Sequence, residues 1–217
     1  MYLTRTPNFI QNLFPNFTWR VPTDKKVAYL TFDDGPIPEI TPWVLDQLDV
    51  YDAKATFFCV GENISKHPDV FDMVLERGHQ VGNHTYNHLS GWSSDNLDYY
   101  HNVRKCAQLV KSPLFRPPYG RLKPHQVQFL QRHYQIIMWD VLSGDFDPGT
   151  TLEQCYENVM GKVRNGSIIV FHDSIKAKEK MQYTLPLVLE ELSARGYTFE
   201  SIHADLFEPA DTLRKIA

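Results

Sequence analysis

The stretch Val27-Ala28-Tyr29-Leu30-Thr31-Phe32-Asp33-Asp34-Gly35-Pro36 decides the fold class of this chain. Its first six residues are apolar, aromatic or β-branched, which is typical of a strand buried on both faces of a parallel sheet. The run stops at two adjacent acids followed by Gly-Pro, a pattern that favours a turn for backbone reasons alone. Two neighbouring carboxylates at a strand end also repel each other, and a bound cation would relieve that repulsion.

Six more short apolar runs follow this one, at 55–60, 80–82, 114–116, 135–139, 167–171 and 199–202. Stretches with helical periodicity separate them, and this alternation predicts βα units around a parallel sheet. About seven alternations in one domain indicate an α/β fold of the distorted (β/α) barrel type more than an open sheet.

Apolar stripes between the runs predict the buried faces of three helices. The stripes are Val70, Phe71, Val74 and Leu75; Leu97, Tyr100, Val103, Ala107 and Val110; and Leu185, Val188, Leu189 and Leu192. A further helix is predicted to begin at Thr41-Pro42, with Thr41 as the N-cap and proline in the first turn.

Composition limits the remaining possibilities. A chain of 217 residues with 42% hydrophobic content suits one domain, 1–217, with one core. The net charge of -4 leaves no basic stripe, so we expect no nucleic-acid partner. The three cysteines are widely spaced and are predicted to be core residues. No apolar run approaches the ~20 residues that span a bilayer and no signal peptide is recognisable, so we expect no membrane segment, a cytoplasmic location and a monomer.

Polar residues follow the apolar runs at the points where the predicted strands end. Because the carboxyl ends of barrel strands share one face, these side chains are predicted to converge there. They are Asp33 and Asp34, His84 and His88, Arg116 to Tyr119, Asp140 and Asp145, and His172 and Asp173.

His84 and His88 have a spacing that lets two imidazoles reach one metal ion. Spacing alone also fits two ordinary surface histidines, and Thr85 replaces the Glu that serves as base in one common version of the pattern. A base must therefore lie elsewhere, and the Asp33-Asp34 pair offers one carboxylate for the metal and a second for a proton. Two imidazoles and one carboxylate leave open positions for water.

Two further groups have both a functional and a purely structural interpretation. Arg116 either holds a carboxylate in its guanidinium fork or is solvated in a rigid Pro-Pro loop that shapes the chain. His172 is either a hydrogen-bonded core residue or a proton donor whose pKa is raised by Asp145.

Taken together, five motifs in order resemble those of the polysaccharide deacetylases, the NodB-like carbohydrate esterases. The resemblance covers residues 27–203, and its motifs are Thr31-Phe32-Asp33-Asp34-Gly35, His84-Thr85-x-x-His88, Arg116-Pro117-Pro118-Tyr119, Asp145 and Val170-Phe171-His172-Asp173. It implies a distorted (β/α) barrel of about seven or eight units.

The resemblance also implies a metal centre. Asp34, His84 and His88 would bind a divalent metal, zinc in the first place and cobalt or nickel as alternatives. Asp33 would be the general base.

The remaining catalytic roles follow from the same resemblance. Arg116 would orient Asp33, the Tyr119 backbone amide would help to hold the oxyanion, and His172 would be the acid, tuned by Asp145.

Three positions depart from the family pattern. Phe146 stands where Trp is usual after Asp145, Leu142 replaces a common Asp, and Val170 replaces the usual Leu of the acetyl-methyl pocket. Tyr119, Phe146 and Val170 are predicted to contact the substrate, so the departures concern substrate choice and the surroundings of His172.

The resemblance implies an enzyme that removes N-acetyl groups from N-acetylglucosamine-containing glycans or oligosaccharides. An O-acetyl esterase acting on acetylated xylan or another sugar is the alternative on the same site. A catalytically silent glycan-binding module is a third, although such a module would be expected to lack a ligand or the base, and all are present here.

Overall fold

The computed structural model of the protein describes residues 3–207, so residues 1–2 and 208–217 of the predicted domain lie outside it. Nine strands form one sheet of parallel pairs in the order β1-β6-β5-β4-β3-β2-β8-β7, and β9 pairs with the start of β2. They are β1 Phe17–Thr18, β2 Val27–Asp33, β3 Thr56–Cys59, β4 Gln80–Asn83, β5 Leu114–Phe115, β6 Gln135–Ile137, β7 Val141–Leu142, β8 Ile168–His172 and β9 Thr198–Phe199. The sheet curls into a half-barrel with flanking helices, which confirms the predicted fold class.

Strand β2 lies inside this sheet, between β3 and β8, and all seven of its residues are buried. Successive side chains of a strand point to opposite faces. Phe32 therefore packs on the helix side, where it stacks in register between Phe57 of β3 and Phe171 of β8, with ring centroids 5.0 and 6.0 Å away. Thr31 and Asp33, on alternating positions, meet the Arg116 side chain.

All seven predicted runs contain strands, but the structure adds two strands that the pattern did not reveal. Strands β1 and β7 have two residues each, which is too short for an apolar run or an alternation to be visible. Their positions are set by pairing with longer neighbours, β6 and β8, and so are decided by tertiary contacts.

Eight α-helices lie among the described residues. They are α1 Asn8–Leu13, α2 Thr41–Val50, α3 Gly61–Lys66, α4 Pro68–Glu76, α5 Asn96–Ala107, α6 Pro124–Leu130, α7 Leu152–Met160 and α8 Lys178–Ala194. Short 3₁₀ turns occupy Pro118–Gly120 and Ala204–Phe207. Within the described part of the chain, no helix combines the length and apolarity that crossing a bilayer requires.

The predicted helix faces are correct for α8 and partly wrong for α4 and α5. Helix α8 buries its whole predicted stripe, whereas Leu75 of α4 and Leu97 of α5 are exposed. The buried face of α5 instead runs through Tyr99, Val103 and Cys106, because an aromatic ring and a thiol contribute to the core as well as aliphatic residues do.

Thr41 also differs from its predicted role. It is the first residue of α2 and not the N-cap, and its hydroxyl accepts from the Ile37 N–H while donating to Asp173. The hydroxyl therefore ties the start of α2 to the end of β8.

The N-terminal segment joins both edges of the curled sheet. The Thr4 carbonyl accepts from the N–H of Leu142 in β7, and the Thr6 N–H donates to the carbonyl of Asp140 just before β7. Strand β1 then pairs with β6 at the other edge. Residues that precede the motif core thus span the seam between the first and last strands of the half-barrel.

Candidate active site

The carboxyl ends of the strands bring the predicted site residues together. Asp33 and His172 are neighbours in register on β2 and β8, at the ends of their strands. Side chains from the segments after β4, β5, β6, β7 and β8 join them around a cavity of ≈ 290 Å³. The cavity is lined by Asp33, His84, His88, Pro117, Tyr119, Arg121, Trp139, Leu142, Phe146, Val170, His172 and Lys176.

Asp34, His84 and His88 form a cluster with the geometry of a metal site. Their ligand atoms all lie within 4.8 Å of one another, with His88 Nε2 3.1 Å and His84 Nε2 3.9 Å from Asp34 Oδ1. His84 Nδ1 is 2.7 Å from the carbonyl oxygen of Arg116. This oxygen can only accept, so Nδ1 carries the proton and Nε2 keeps its lone pair for a metal.

The electrostatics of the cluster suit metal binding. Burial lowers the pKa of His84 to about 4, which keeps its imidazole neutral. Burial opposes ionisation of Asp34, but the contact with His88 and the positive charge of His172 hold its carboxyl pKa well below the ordinary value. Asp34 Oδ1 is buried and, apart from the His88 Nε2 contact at 3.1 Å, has no hydrogen-bond partner among the described residues, which is expected of an oxygen that binds a cation.

The loop that carries Asp34 is anchored from behind by Asp173. The Asp173 carboxylate accepts hydrogen bonds from the Gly35 N–H at 3.0 Å and the Thr41 hydroxyl at 2.6 Å. A Cβ at position 35 would overlap this carboxylate, so the close approach requires glycine. Asp34 itself has a φ of 84°, a left-handed conformation that turns its side chain away from the direction of β2.

Asn83 anchors the segment that carries the two histidines in a similar way, and it was not predicted from the sequence. Its Oδ1 accepts the Thr85 N–H at 2.9 Å, and its Nδ2 donates to the Val103 carbonyl at 2.9 Å. Thr85 and His88 both have positive φ, so the segment depends on such anchors. The only sequence signal was its position, directly after the predicted run 80–82 and directly before His84.

Arg116 is fully buried, so the interpretation as a solvated loop residue is wrong. Its Nη1 donates to Asp33 Oδ1 at 2.7 Å and to the Thr31 hydroxyl at 2.7 Å. Its Nε and Nη2 donate to the carbonyls of Ile137 and Met138. Four hydrogen bonds hold the guanidinium rigidly, which in turn holds one oxygen of Asp33 in place.

Tyr119 lies in the tight turn after β5 and has a φ of 61°. The turn is closed by bonds from the N–H groups of Gly120 and Arg121 to Pro117 and Pro118, so these bonds do not use the Tyr119 N–H. The phenol ring is 59% exposed and lies edge-on to His88, with centroids 4.7 Å apart.

His172 is paired with Asp145 by two contacts. Asp145 Oδ1 is 2.7 Å from His172 Nδ1, and Oδ2 accepts the His172 N–H at 2.7 Å. Burial lowers the pKa of His172, but the charge and hydrogen bond of Asp145, reinforced by Asp34 and Asp33, raise it to about 9 overall. The imidazole is therefore protonated at neutral pH and can donate a proton.

The three departures from the family pattern meet in one wall of the cavity. Phe146 lies edge-on to His172 with ring centroids 5.0 Å apart, and Leu142 and Val170 line the cavity beside it. These side chains make an apolar surface next to the candidate acid.

Three further residues line the cavity and were not predicted. Trp139 ends the fifth apolar run, Arg121 follows the Arg116 motif, and Lys176 lies four residues after His172, with Nζ 3.6 Å from Asp34 Oδ2. Proximity in sequence to a motif was the available signal for the last two.

Asp140 does not join the site, contrary to the prediction for its strand end. It is fully buried and bonded to the Arg164 side chain and the Ser167 hydroxyl, just before β8 begins. Asp140 thus lies at the opposite end of the strands because residues 138–140 connect β6 back to the start of β7.

Known proteins with similar sequences and structures are consistent with this geometry. A peptidoglycan-N-acetylglucosamine deacetylase of Bacillus cereus is 36% identical over 194 residues, which are 85% of this chain and 90% of that protein. A second deacetylase of that name and organism is 34% identical over 70% of this chain and 58% of its own length.

Among solved structures, a peptidoglycan N-acetylglucosamine deacetylase in complex with an N-oxidanyl-benzamide compound has a TM-score of 0.82 at 29% identity. The alignment covers 91% of this chain and 95% of that one. The family model described as polysaccharide deacetylase matches residues 20–135, more than half of the sequence. The chain therefore belongs to the polysaccharide deacetylase family.

Proposed function

We propose that this protein is a metal-dependent hydrolase that removes N-acetyl groups from N-acetylglucosamine-containing glycans. The observation that carries the proposal is the meeting of three groups at one cavity: the Asp34–His84–His88 cluster, the Asp33–Arg116 pair and the His172–Asp145 pair. Amide hydrolysis needs an activated water, a stabilised oxyanion and a protonated leaving amine, and the three groups suit these three tasks. The names of the similar proteins support an acetylated amino sugar as substrate.

Asp34, His84 and His88 would hold the metal, for which two nitrogen ligands and one oxygen ligand favour zinc, with cobalt or nickel as alternatives. When bound, such a cation supplies Lewis acidity, which makes a water more acidic and polarises a carbonyl.

Asp33 is proposed as the base that takes a proton from the attacking water. Because Arg116 Nη1 binds Asp33 Oδ1, the second carboxylate oxygen, Oδ2, is left to accept that proton. The buried guanidinium also places a positive charge 2.7 Å from that carboxylate. Asp33 lines the cavity, so this oxygen has access to substrate.

Oxyanion stabilisation and protonation of the leaving group are assigned to two other residues that line the cavity. The Tyr119 N–H, not used in closing its turn, is proposed to donate to the oxyanion that develops on the acetyl carbonyl. His172 is proposed to protonate the sugar nitrogen as the C–N bond breaks, which releases acetate and a free amine. Phe146, Leu142 and Val170 offer the apolar surface for the acetyl methyl group.

Acetate release from N-acetylglucosamine oligomers and from acetylated xylan, with zinc or cobalt supplied, tests the proposal. The proposed function requires release from the amino-sugar oligomers and a free amine in equal amount. Faster release from acetylated xylan would instead support an O-acetyl esterase, for which an alcohol leaving group needs less help from His172. The absence of release from either substrate would refute both and favour a silent binding module.

A further inference from the structure

Trp92 is an exposed tryptophan close to the candidate active site, and no catalytic task accounts for it. Its side chain is 60% exposed, although a large apolar ring is normally buried. It belongs to the segment that follows the metal-site histidines, between His88 and α5.

The exposed position of the ring is built into the fold. The indole N–H donates to the Leu122 carbonyl at 3.1 Å. On either side of Trp92, the Gly91 carbonyl accepts from Gln126 at 3.0 Å and the Ser94 carbonyl accepts from Lys123 at 2.6 Å. These three bonds clamp the segment 91–94 onto residues 122–126, so the ring is held in solvent by specific contacts.

Gly91 shows how closely the two segments approach each other. A Cβ at this position would lie 2.6 Å from the Arg121 carbonyl oxygen and 2.5 Å from Gln126 Oε1, so a side chain there would force the segments apart. The close fit implies that the orientation of Trp92 is preorganised before any ligand arrives.

Arg121 connects the ring to the cavity. Its guanidinium carbon lies 5.0 Å from the centre of the Trp92 ring, and the same side chain lines the ≈ 290 Å³ cavity. The indole is therefore one side chain away from the place where the acetylated sugar would react. A rigid aromatic surface that continues a glycan-binding cavity matches the apolar C–H face of a pyranose ring, and the neighbouring guanidinium suits hydroxyl groups.

We propose that Trp92 is a stacking platform for a sugar unit adjacent to the one that is deacetylated. This inference rests on the proposed glycan substrate and adds a second subsite to it. The site then binds at least two linked sugars, so an oligomer long enough to reach Trp92 is a better substrate than one that fills the cavity alone.

The test compares kcat/KM for N-acetylglucosamine oligomers from dimer to pentamer, using zinc-loaded protein. The quantity of interest is the pentamer-to-dimer ratio, because a general loss of activity cancels in it. Trp92→Ala is expected to lower this ratio about tenfold, which is the size of effect that one aromatic contact can give. Trp92→Phe keeps a ring and is expected to retain most of the ratio.

Tyr183→Ala is the matched control, since Tyr183 on α8 is also an exposed aromatic residue, 41% exposed, and does not line the cavity. The control should keep the wild-type ratio. If Trp92→Ala keeps the wild-type pentamer-to-dimer ratio of kcat/KM, Trp92 is not a stacking platform. Equal losses of this ratio in Trp92→Ala and Trp92→Phe would also refute the proposal. Wild-type protein that releases no acetate from any oligomer would contradict the proposed function itself, so the two failures are distinguishable.

A binding measurement gives a second readout that does not depend on turnover. The pentamer is titrated into Asp33→Asn protein while tryptophan fluorescence is followed, and the titration is repeated with Asp33→Asn/Trp92→Phe. The double variant is expected to lose the part of the signal that comes from Trp92. Identical signals from the two proteins would show that the indole does not contact the glycan.

Discussion

Removing the negative charge of Asp145 is the most direct test of His172 as the proposed acid. Asp145→Asn keeps the size of the side chain and can still accept the His172 N–H, but it removes the negative charge beside Nδ1. That charge and its hydrogen bond are the main reason why the pKa of His172 is raised from 6.5 to about 9 in spite of burial. We expect the substitution to return this pKa to 6.5 or below.

The size of the effect follows from the two pKa values. At pH 7.5 a group of pKa 9 is almost fully protonated, whereas a group of pKa 6.5 is protonated to about one tenth. Asp145→Asn should therefore lower kcat/KM about tenfold at pH 7.5, and by more where burial lowers the pKa further. The loss should become small once the pH falls below the lowered pKa of the variant, because His172 is then protonated in both proteins.

Asp145→Asn is also expected to lower the stability of the fold. The folded-state pKa of His172 lies above the unfolded value of 6.5, so the ion pair stabilises the fold fully below pH 6.5. This contribution declines as pH rises through about 9. Thermal unfolding of Asp145→Asn should thus differ most from the wild type in mildly acidic solution.

The assay is a pH profile of kcat/KM from pH 5.5 to 10 on an N-acetylglucosamine oligomer. Glu153→Gln provides a control, because it removes one carboxylate from the exposed start of α7 without touching the cavity. If the alkaline limb of Asp145→Asn coincides with that of the wild type, Asp145 does not tune the acid and the reasoning fails.

Three further outcomes test other parts of the site. His84→Ala should lose both bound metal and activity. His172→Ala should keep its metal, measured by elemental analysis, and lose turnover at least a hundredfold, on the order expected for a general acid. A metal-free His172→Ala protein would contradict these roles. Gly35→Ala should weaken metal affinity tenfold or more, measured by competition with a chelator, because its Cβ overlaps the Asp173 carboxylate; unchanged affinity would show that this anchor is dispensable. Val170→Leu should narrow the acyl pocket and lower the propionyl-to-acetyl rate ratio several-fold, and an unchanged ratio would place the acyl group elsewhere.

The fold class was predictable because a parallel sheet buried on both faces produces long apolar runs. Strand β2 is fully buried and β8 nearly so, and both stood out in the sequence. Strands β1 and β7 were missed, since two residues carry no periodicity and their pairing depends on neighbours far away in the chain. The face of α5 was misassigned because Tyr99 and Cys106 pack in the core while Leu97 faces solvent.

The candidate site was predictable to the extent that its chemistry sits in local motifs. Asp34, His84 and His88 were identified from residue type and spacing, and the structure brings them together. The supports behind them were not visible. Asn83 orients the histidine segment through hydrogen bonds to Thr85 and Val103, a partner 20 residues away, and no local pattern encodes such a contact.

By itself, the sequence determined which residue types are available at the end of each strand and that the strands are parallel. The tertiary structure alone decided that Arg116 is buried against Asp33, 83 positions away, and that Asp140 lies at the other end of the barrel. It also decided that Trp92 is held in solvent beside the cavity. The physical reason is that local chemistry sets what a side chain can do, whereas burial, charge pairing and orientation arise only when distant segments pack together.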